Sequence, residues 1–166
     1  MAVDKIYLVG FMAAGKSSLA VALARRLDWP VQDIDDLIER REHRTISSIF
    51  AREGELYFRQ VERQVLHDLV PVRHVIVATG GGTFVDPDNR ALINADGMSV
   101  WLDAPLQELL NRIPADGRRP LAADRDQMER LYDVRRTAYE QAHLRLAATN
   151  ISVEALAEQL LAQIEV

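Results

Sequence analysis

The stretch Gly10-Phe-Met-Ala-Ala-Gly-Lys-Ser17 (GFMAAGKS) follows a short apolar run and precedes a run of helix-forming residues. It fits the pattern of a phosphate-binding loop, which is glycine, any four residues, glycine, lysine, then serine or threonine. Its glycines let the backbone curl, so that successive N–H groups and the positive end of the next helix point at phosphate oxygens. Lys16 supplies a compact cation and the Ser17 hydroxyl can bind magnesium. The stretch therefore predicts a site for a nucleoside triphosphate, ATP above all, rather than a plain glycine-rich turn.

Strand-like and helix-like segments alternate along the chain around this loop. Five short apolar segments are typical of buried strands: 6–9, 31–35, 74–79, 98–102 and 144–149. The segments between them carry apolar residues at helical spacing, and Thr45 is a candidate N-cap for one of these helices. The alternation predicts an α/β protein with a parallel sheet covered on both faces, whose ligands gather at the carboxyl ends of the strands.

Composition limits the kind of protein and the kind of partner. The 166 residues fit one domain, and 48% hydrophobic with 27% charged residues is typical of a soluble globular chain. A formal net charge of -5 gives no general reason to bind nucleic acid or an anionic membrane. The chain has no cysteine, and no apolar run approaches the ~20 residues that span a bilayer. We expect a cytoplasmic protein without nucleic-acid or membrane partners.

Two acidic residues and a glycine triplet follow neighbouring predicted strands. Asp33 and Asp35 lie at the end of the second strand, where one could support a metal and the other an acceptor hydroxyl. The alternative is that both merely cap the next helix, where aspartate is common. The triplet Gly80–Gly82 lets a ligand approach the backbone closely, or simply forms a tight turn. Arg59 and Arg135, each taken alone, are typical of exposed surface residues.

The segment 114–126 has no apolar periodicity and contains glycine, two prolines and several arginines. This composition predicts a mobile, basic loop.

Six stretches, in this order and with similar gaps, resemble the shikimate kinase family: GFMAAGKSS, DIDDLIE, GELYFRQVE, ATGGG, RRPL and LYDVRRTAY. The resemblance covers nearly the whole chain, to about His143. It implies a three-layer P-loop kinase fold of the nucleoside-monophosphate-kinase type, with a central five-stranded parallel sheet, flanking helices and a mobile lid. It also implies transfer of the ATP γ-phosphoryl group to the 3-hydroxyl of shikimate, a step toward chorismate and the aromatic amino acids.

The resemblance further implies how the chain is organised. A single domain would span residues 1–166, with a helical shikimate-binding segment at about 34–62 and the lid at about 114–126. ATP would be the co-substrate, Mg²⁺ the cofactor and shikimate the acceptor. We expect the protein to be a monomer.

On the nucleotide side, the resemblance implies that Lys16 contacts the phosphates and is catalytic. Ser17 would bind magnesium, and Asp33 would support the metal through water. Arg119 matches the catalytic lid arginine that folds over ATP, and Arg112 matches a position that stacks near adenine. The other expected nucleotide-binding residues belong to the loop and the start of its helix: Gly10, Ala13, Ala14, Gly15 and Ser18.

On the acceptor side, the resemblance implies that Asp35 is catalytic, binding the shikimate hydroxyls and orienting or deprotonating the attacking one. Arg59 and Arg135 match arginines that grip the shikimate carboxylate, a task suited to the planar guanidinium group. Gly80, Gly81 and Gly82 match the backbone that lines the ring. The neighbouring Arg136 leaves the choice of Arg135 open by one position.

Some residues depart from the family pattern. Ala13 stands where glycine is usual, and Ser18 replaces a threonine. The stretch LRLAATN at 144–150 leaves residues near Asn150 and Ser152 without an assignment on the adenine side.

Two other functions stay open on the sequence: a related small-molecule kinase such as gluconate kinase, and a catalytically silent P-loop module. The Phe58-Arg59 pair and the glycine triplet favour shikimate over gluconate. Several retained residues argue against a silent module: Lys16, Ser17, Asp33, Asp35 and Arg119.

Overall fold

The computed structural model describes residues 2–112 and 125–166. The described strands are β1 (Lys5–Val9), β2 (Val31–Asp33), β3 (Val75–Ala78), β4 (Met98–Asp103) and β5 (Leu144–Ala147). The described helices are α1 (Lys16–Leu27), α2 (Ile34–Glu42), α3 (Ile46–Glu53), α4 (Glu55–Asp68), α5 (Pro87–Asp96), α6 (Leu106–Arg112), α7 (Arg125–Tyr139) and α8 (Val153–Leu161). A short 3₁₀ turn, Thr83–Val85, precedes α5. Every helix in these two ranges is too short or too polar to cross a membrane.

The strands form one parallel sheet in the order β2-β3-β1-β4-β5. This arrangement confirms the predicted five-stranded parallel sheet. All five residues of β1 are buried, because this strand lies in the middle of the sheet and has layers on both faces. The strand order reverses beside β1, so a crevice opens where that strand ends, at Gly10.

Side-chain caps explain where several helices begin. The Thr45 hydroxyl accepts a hydrogen bond from the N–H of Ser48 at 3.2 Å, which confirms the predicted N-cap of α3. Pro87 occupies the first turn of α5, a position that needs no N–H donor. The last helix, α8, is capped by Ser152, whose hydroxyl accepts from the N–H of Ala155 at 3.1 Å.

Two predicted boundaries are wrong. The second strand ends at Asp33 rather than at 35, because the Asp33 carboxylate accepts from the N–H groups of Asp35 at 2.9 Å and Asp36 at 3.2 Å and so starts α2. Asp35 therefore lies in the first turn of a helix. The helix predicted from 127 starts at Arg125, so the last two residues of the expected lid range, 114–126, are helical, and 114–124 lie outside the described residues.

A buried ionic cluster holds the amino-terminal edge of the sheet, opposite the crevice. Lys5 is fully buried, its Nζ lies 2.6 Å from the Asp96 carboxylate, and it donates to the Leu69 carbonyl at 2.5 Å. The Tyr7 hydroxyl donates to the same carboxylate at 2.5 Å, and Arg73 pairs with it as well. Burial alone would raise the pKa of Asp96, but the bonds from these three donors outweigh burial and lower it.

We expect Asp96→Asn to lower the free energy of unfolding by about 3–5 kcal/mol at pH 7, since it leaves a buried lysine without its counter-charge. The folded-state pKa of Asp96 lies below its unfolded value, so its contribution is complete above the unfolded pKa of about 3.9 and is lost as pH falls through the folded pKa. Urea unfolding should therefore show the gap between wild type and variant narrowing below about pH 4.

The matched control is Asp68→Asn, because Asp68 pairs with Arg41 at the surface. It should change the free energy of unfolding by less than about 1 kcal/mol. Equal losses for the two variants would contradict a special role for the buried cluster.

Candidate active site

One continuous cleft of about 1290 Å³ opens at the carboxyl edge of the sheet. The phosphate loop and the glycine turn, Gly80–Gly82, both line it, and Arg59 and Arg135 lie against the glycine turn. Pockets for a single small molecule usually have volumes of about 300–1,000 Å³. The cleft can therefore hold two substrates end to end.

Two glycines of the phosphate loop adopt backbone conformations that other residues disfavour. Gly10 has φ 147° and Gly15 has φ 101°, in the region that side chains disfavour. A Cβ on Gly10 would also lie 2.8 Å from the Leu102 carbonyl oxygen of β4. Gly15 is the N-cap of α1, and no side chain of the described residues caps that helix. Its first N–H groups thus face the cleft as an anion site.

Lys16 lies folded over the phosphate loop and is 9% exposed. Its ammonium group donates to the carbonyls of Gly10 at 2.6 Å and Phe11 at 2.9 Å. These bonds hold the ammonium group beside the N–H groups of the loop, where it can reach a bound phosphate.

The two residues expected at the metal lie next to each other. The Ser17 hydroxyl donates to the Asp33 carboxylate at 3.4 Å. A hydroxyl and a carboxylate are the hard oxygen ligands that magnesium prefers, and magnesium usually keeps water and substrate phosphates as its remaining ligands. No cluster of three or more acidic or histidine ligands occurs in 2–112 or 125–166. The oxygen pair therefore fits a magnesium ion held largely by the nucleotide.

Ala13, the departure from the family glycine, adopts φ 64°. This left-handed conformation is open to alanine, at a cost of about 1–2 kcal/mol. The backbone keeps the glycine-like shape although the side chain has changed. Arg112 donates to the Ala13 carbonyl at 3.3 Å, which places that arginine beside the nucleotide end of the cleft.

Asp35 reaches the cleft from the first turn of α2 and lies against the glycine turn. A Cβ on Gly80 would be only 3.1 Å from Asp35 Oδ1. A side chain at position 80 would therefore push this carboxylate away. Asp33 caps the helix, as the alternative interpretation expected. Both aspartates also line the cleft, so capping does not exclude a role there.

Arg59 and Arg135 converge on the glycine turn from different helices. A Cβ on Gly81 would lie 2.8 Å from Arg135 Nη1, and one on Gly82 would overlap the Arg59 guanidinium. Arg135 is 5% exposed, so the interpretation of this residue as an exposed surface arginine is wrong. Burial lowers the pKa of Arg135, and repulsion from Arg59 lowers it further. A buried and a partly exposed cation thus share the glycine turn.

The structure separates Arg135 from its neighbour. Arg136 lies outside the cleft, where it pairs with Glu140 at 3.6 Å and lies over the Trp101 ring. Among the two, Arg135 has the position that the resemblance expects of a substrate-binding arginine, and its role stays a prediction.

Most of the expected site residues line the cleft: Ala13, Ala14, Gly15, Lys16, Ser17, Ser18, Asp33, Asp35, Arg59, Gly80, Gly81, Gly82, Arg112 and Arg135. Gly10 begins the loop beneath them and accepts from Lys16. Arg119 lies outside the described residues.

Some residues at the cleft were not found from the sequence. Glu62 is fully buried beside Arg59, and the Tyr139 hydroxyl donates to the Gly81 carbonyl. The spacing of three residues between Arg59 and Glu62 on one helix was a usable signal. No sequence signal pointed to the apolar lining beside the phosphate loop, because it comes from the region after β5, which lacks a recognisable pattern. These residues are Ala148, Ile151, Val153 and Leu156.

Comparisons with known proteins agree with this geometry. A family model described as shikimate kinase matches residues 12–165. Shikimate kinase of Persephonella marina is 35% identical over 160 residues, which cover 96% of this chain and 98% of the relative. Shikimate kinase of Synechococcus elongatus is 41% identical over 145 residues, covering 86% and 76%.

Solved structures agree as well. Shikimate kinase from Acinetobacter baumannii in complex with shikimate superposes with a TM-score of 0.91 at 34% identity, covering 97% of this chain and 92% of that one. A deoxyadenosine kinase from M. mycoides, at 14% identity and a TM-score of 0.65, shares the fold alone. The expected P-loop kinase fold is thereby confirmed.

The conformation of Ala13 makes a prediction about stability. We expect Ala13→Gly to raise the free energy of unfolding by up to about 1 kcal/mol, because relief of left-handed strain exceeds the greater unfolded-state entropy of glycine. Ala14→Gly is the control, since Ala14 is not among the positive-φ residues and is 4% exposed. It should destabilise by about 0.5–1 kcal/mol. Destabilisation by both changes in urea unfolding would contradict the strain.

Proposed function

This chain belongs to the shikimate kinase family, and on that premise we propose how the cleft at the carboxyl edge of the sheet is divided between two substrates. The protein is an ATP-dependent kinase that transfers a phosphoryl group to shikimate. The nucleotide phosphates bind at the phosphate loop and shikimate binds at the glycine turn. The observation that carries this division is the convergence of Arg59 and Arg135 on the glycine turn, inside a cavity continuous with the phosphate loop.

The two arginines specify the chemistry of the acceptor. Two guanidinium groups that repel each other in a shielded site gain most from an anion bound between them. Shikimate carries one carboxylate, and a guanidinium can hold a carboxylate through two parallel hydrogen bonds. The arginine pair thus binds the carboxylate and leaves the hydroxyls of the ring facing Asp35 and the phosphate loop.

Asp35 orients the attacking hydroxyl. Its carboxylate lies beside Gly80, in the same cleft as the arginine pair and the phosphate loop. From there it accepts a hydrogen bond from the 3-hydroxyl of shikimate and can take its proton. Phosphoryl transfer depends mainly on positioning and charge stabilisation, so holding this oxygen in line with the γ-phosphate is the main contribution of Asp35.

The nucleotide end supplies positive charge. Lys16 moves its ammonium group from the loop carbonyls to the phosphate oxygens when nucleotide binds. Ser17 and Asp33, the latter through water, would hold a magnesium ion, which would supply positive charge against the nucleotide phosphates. Arg112 and the apolar lining formed by Ile151 and Val153 accept the adenine ring.

We also propose that the enzyme acts as a cytoplasmic monomer of one domain. The described strands form one sheet, which supports a single domain. Light scattering during gel filtration measures the oligomeric state directly.

Asp35→Asn should reduce kcat by at least about 10²-fold, because the amide cannot accept the proton of the hydroxyl, while ATP affinity changes less than about twofold. The measurement is ADP release, which in the wild type should require magnesium and be stimulated by shikimate but not by gluconate. The control is Asp68→Asn, a surface carboxylate that does not line the cleft, which should change kcat less than about fivefold. Stimulation of the wild type by gluconate, or turnover by the Asp35 variant, would contradict the proposal.

The arginine assignment can be tested with two identical substitutions at neighbouring positions. Arg135→Lys should raise KM for shikimate about tenfold or more, since lysine cannot form the two parallel bonds to a carboxylate. Arg136→Lys should change it less than about twofold, because that side chain lies outside the cleft. KM for ATP should stay constant in both variants. The reverse order of effects would move the carboxylate site to Arg136.

A further inference from the structure

Thr83 is fully buried directly after the glycine turn, as the first residue of the 3₁₀ turn Thr83–Val85. Its hydroxyl donates to the Glu62 carboxylate at 2.8 Å and accepts from the Gly80 N–H at 3.0 Å. Its own N–H donates to the Gly80 carbonyl at 3.2 Å. The N–H and the carbonyl of Gly80, the first residue of the glycine turn, are thus both bonded to one threonine.

The partner of that hydroxyl is a buried charge. Glu62 is fully buried and receives the Arg59 guanidinium at 3.0 Å and 3.1 Å on its two oxygens. A buried carboxylate is tolerated only when it is paired and hydrogen-bonded, so the Thr83 bond helps to fix its orientation. A chain of contacts therefore runs from Arg59 through Glu62 and Thr83 to the amide of Gly80.

This chain of contacts connects Arg59 with the part of the glycine turn that lies against Asp35, and these two residues are proposed to bind opposite sides of shikimate. Arg59 packs on Gly82, while Gly80 lies against Asp35. A Cβ on Gly80 would lie 3.3 Å from the Thr83 hydroxyl and 3.1 Å from the Asp35 carboxylate. A shift of the Thr83 side chain would therefore move the glycine turn relative to both groups.

We propose that Thr83 is a positioning residue for shikimate, whose hydroxyl fixes the distance between the Arg59 guanidinium and the Gly80 backbone. This inference rests on the proposed placement of shikimate between the arginine pair and Asp35. Thr83 acts through Glu62 and Gly80. Removing its hydroxyl leaves the Gly80 N–H without its acceptor and Glu62 without one donor, and the turn loosens around the substrate.

The test replaces Thr83 by valine, which keeps the shape and removes the hydroxyl. Thr83→Val should raise KM for shikimate about tenfold, with KM for ATP and kcat both changing less than about threefold. Thr83→Ser, which keeps the hydroxyl, should bring KM for shikimate back to within about twofold of the wild type. If the valine variant does not fold, Thr83→Ala is measured against Thr83→Ser in the same assay.

A matched control removes another buried hydroxyl. Ser99 in β4 is fully buried and donates to Asn94 at 2.6 Å while accepting from the N–H of His143 at 2.9 Å. Ser99→Ala should lower the melting temperature, as Thr83→Val does, and leave KM for shikimate unchanged. The comparison separates loss of stability from loss of substrate positioning.

A double-mutant cycle tests the route through Glu62. Thr83→Val should add little to the increase in KM for shikimate already caused by Glu62→Gln, because both changes break the same chain of contacts. A melting temperature lowered as in Ser99→Ala, with KM for shikimate unchanged in Thr83→Val, would overturn the inference. If instead the proposed placement of shikimate is wrong, Arg135→Lys will leave KM for shikimate unchanged.

Discussion

Two positive charges, one buried and one partly exposed, meet at the glycine turn of the cleft, and the residues around them compensate for that arrangement. Arg135 is 5% exposed and is repelled by Arg59. Glu62 offsets part of the charge from beneath, and glycines at 81 and 82 let the guanidinium groups pack directly on backbone. The remaining positive potential suits an anionic group, which is why the proposed function places the substrate carboxylate there.

The same glycine turn serves both halves of the cleft. Its Gly80 lies beside Asp35, which projects from a helix that starts because Asp33 caps it. Asp33 in turn accepts from Ser17 of the phosphate loop. One run of contacts therefore connects the glycine turn to the phosphate loop. Errors of about 1 Å in such a run can cost about a hundredfold in rate.

A buried cluster of paired charges lies at the opposite edge of the sheet. There Lys5, Tyr7 and Arg73 all bond to Asp96, which ties β1 to the ends of α4 and α5. The cleft, by contrast, contains left-handed Ala13 and two crowded cations. The strained and repulsive features therefore lie at the edge of the sheet that forms the cleft, and the well-paired cluster lies at the other edge.

The sequence by itself determined the parallel α/β fold, the phosphate loop and the family, because these depend on local patterns: apolar runs, helix caps and glycines at fixed spacing. It also located Asp35 and Arg59, but as separate residues. Only the tertiary structure decided between Arg135 and Arg136 as the residue inside the cleft, and only it found Thr83 beside Glu62. Burial and contact between residues distant in the chain arise when helices dock on the sheet, and no short stretch of sequence encodes that docking.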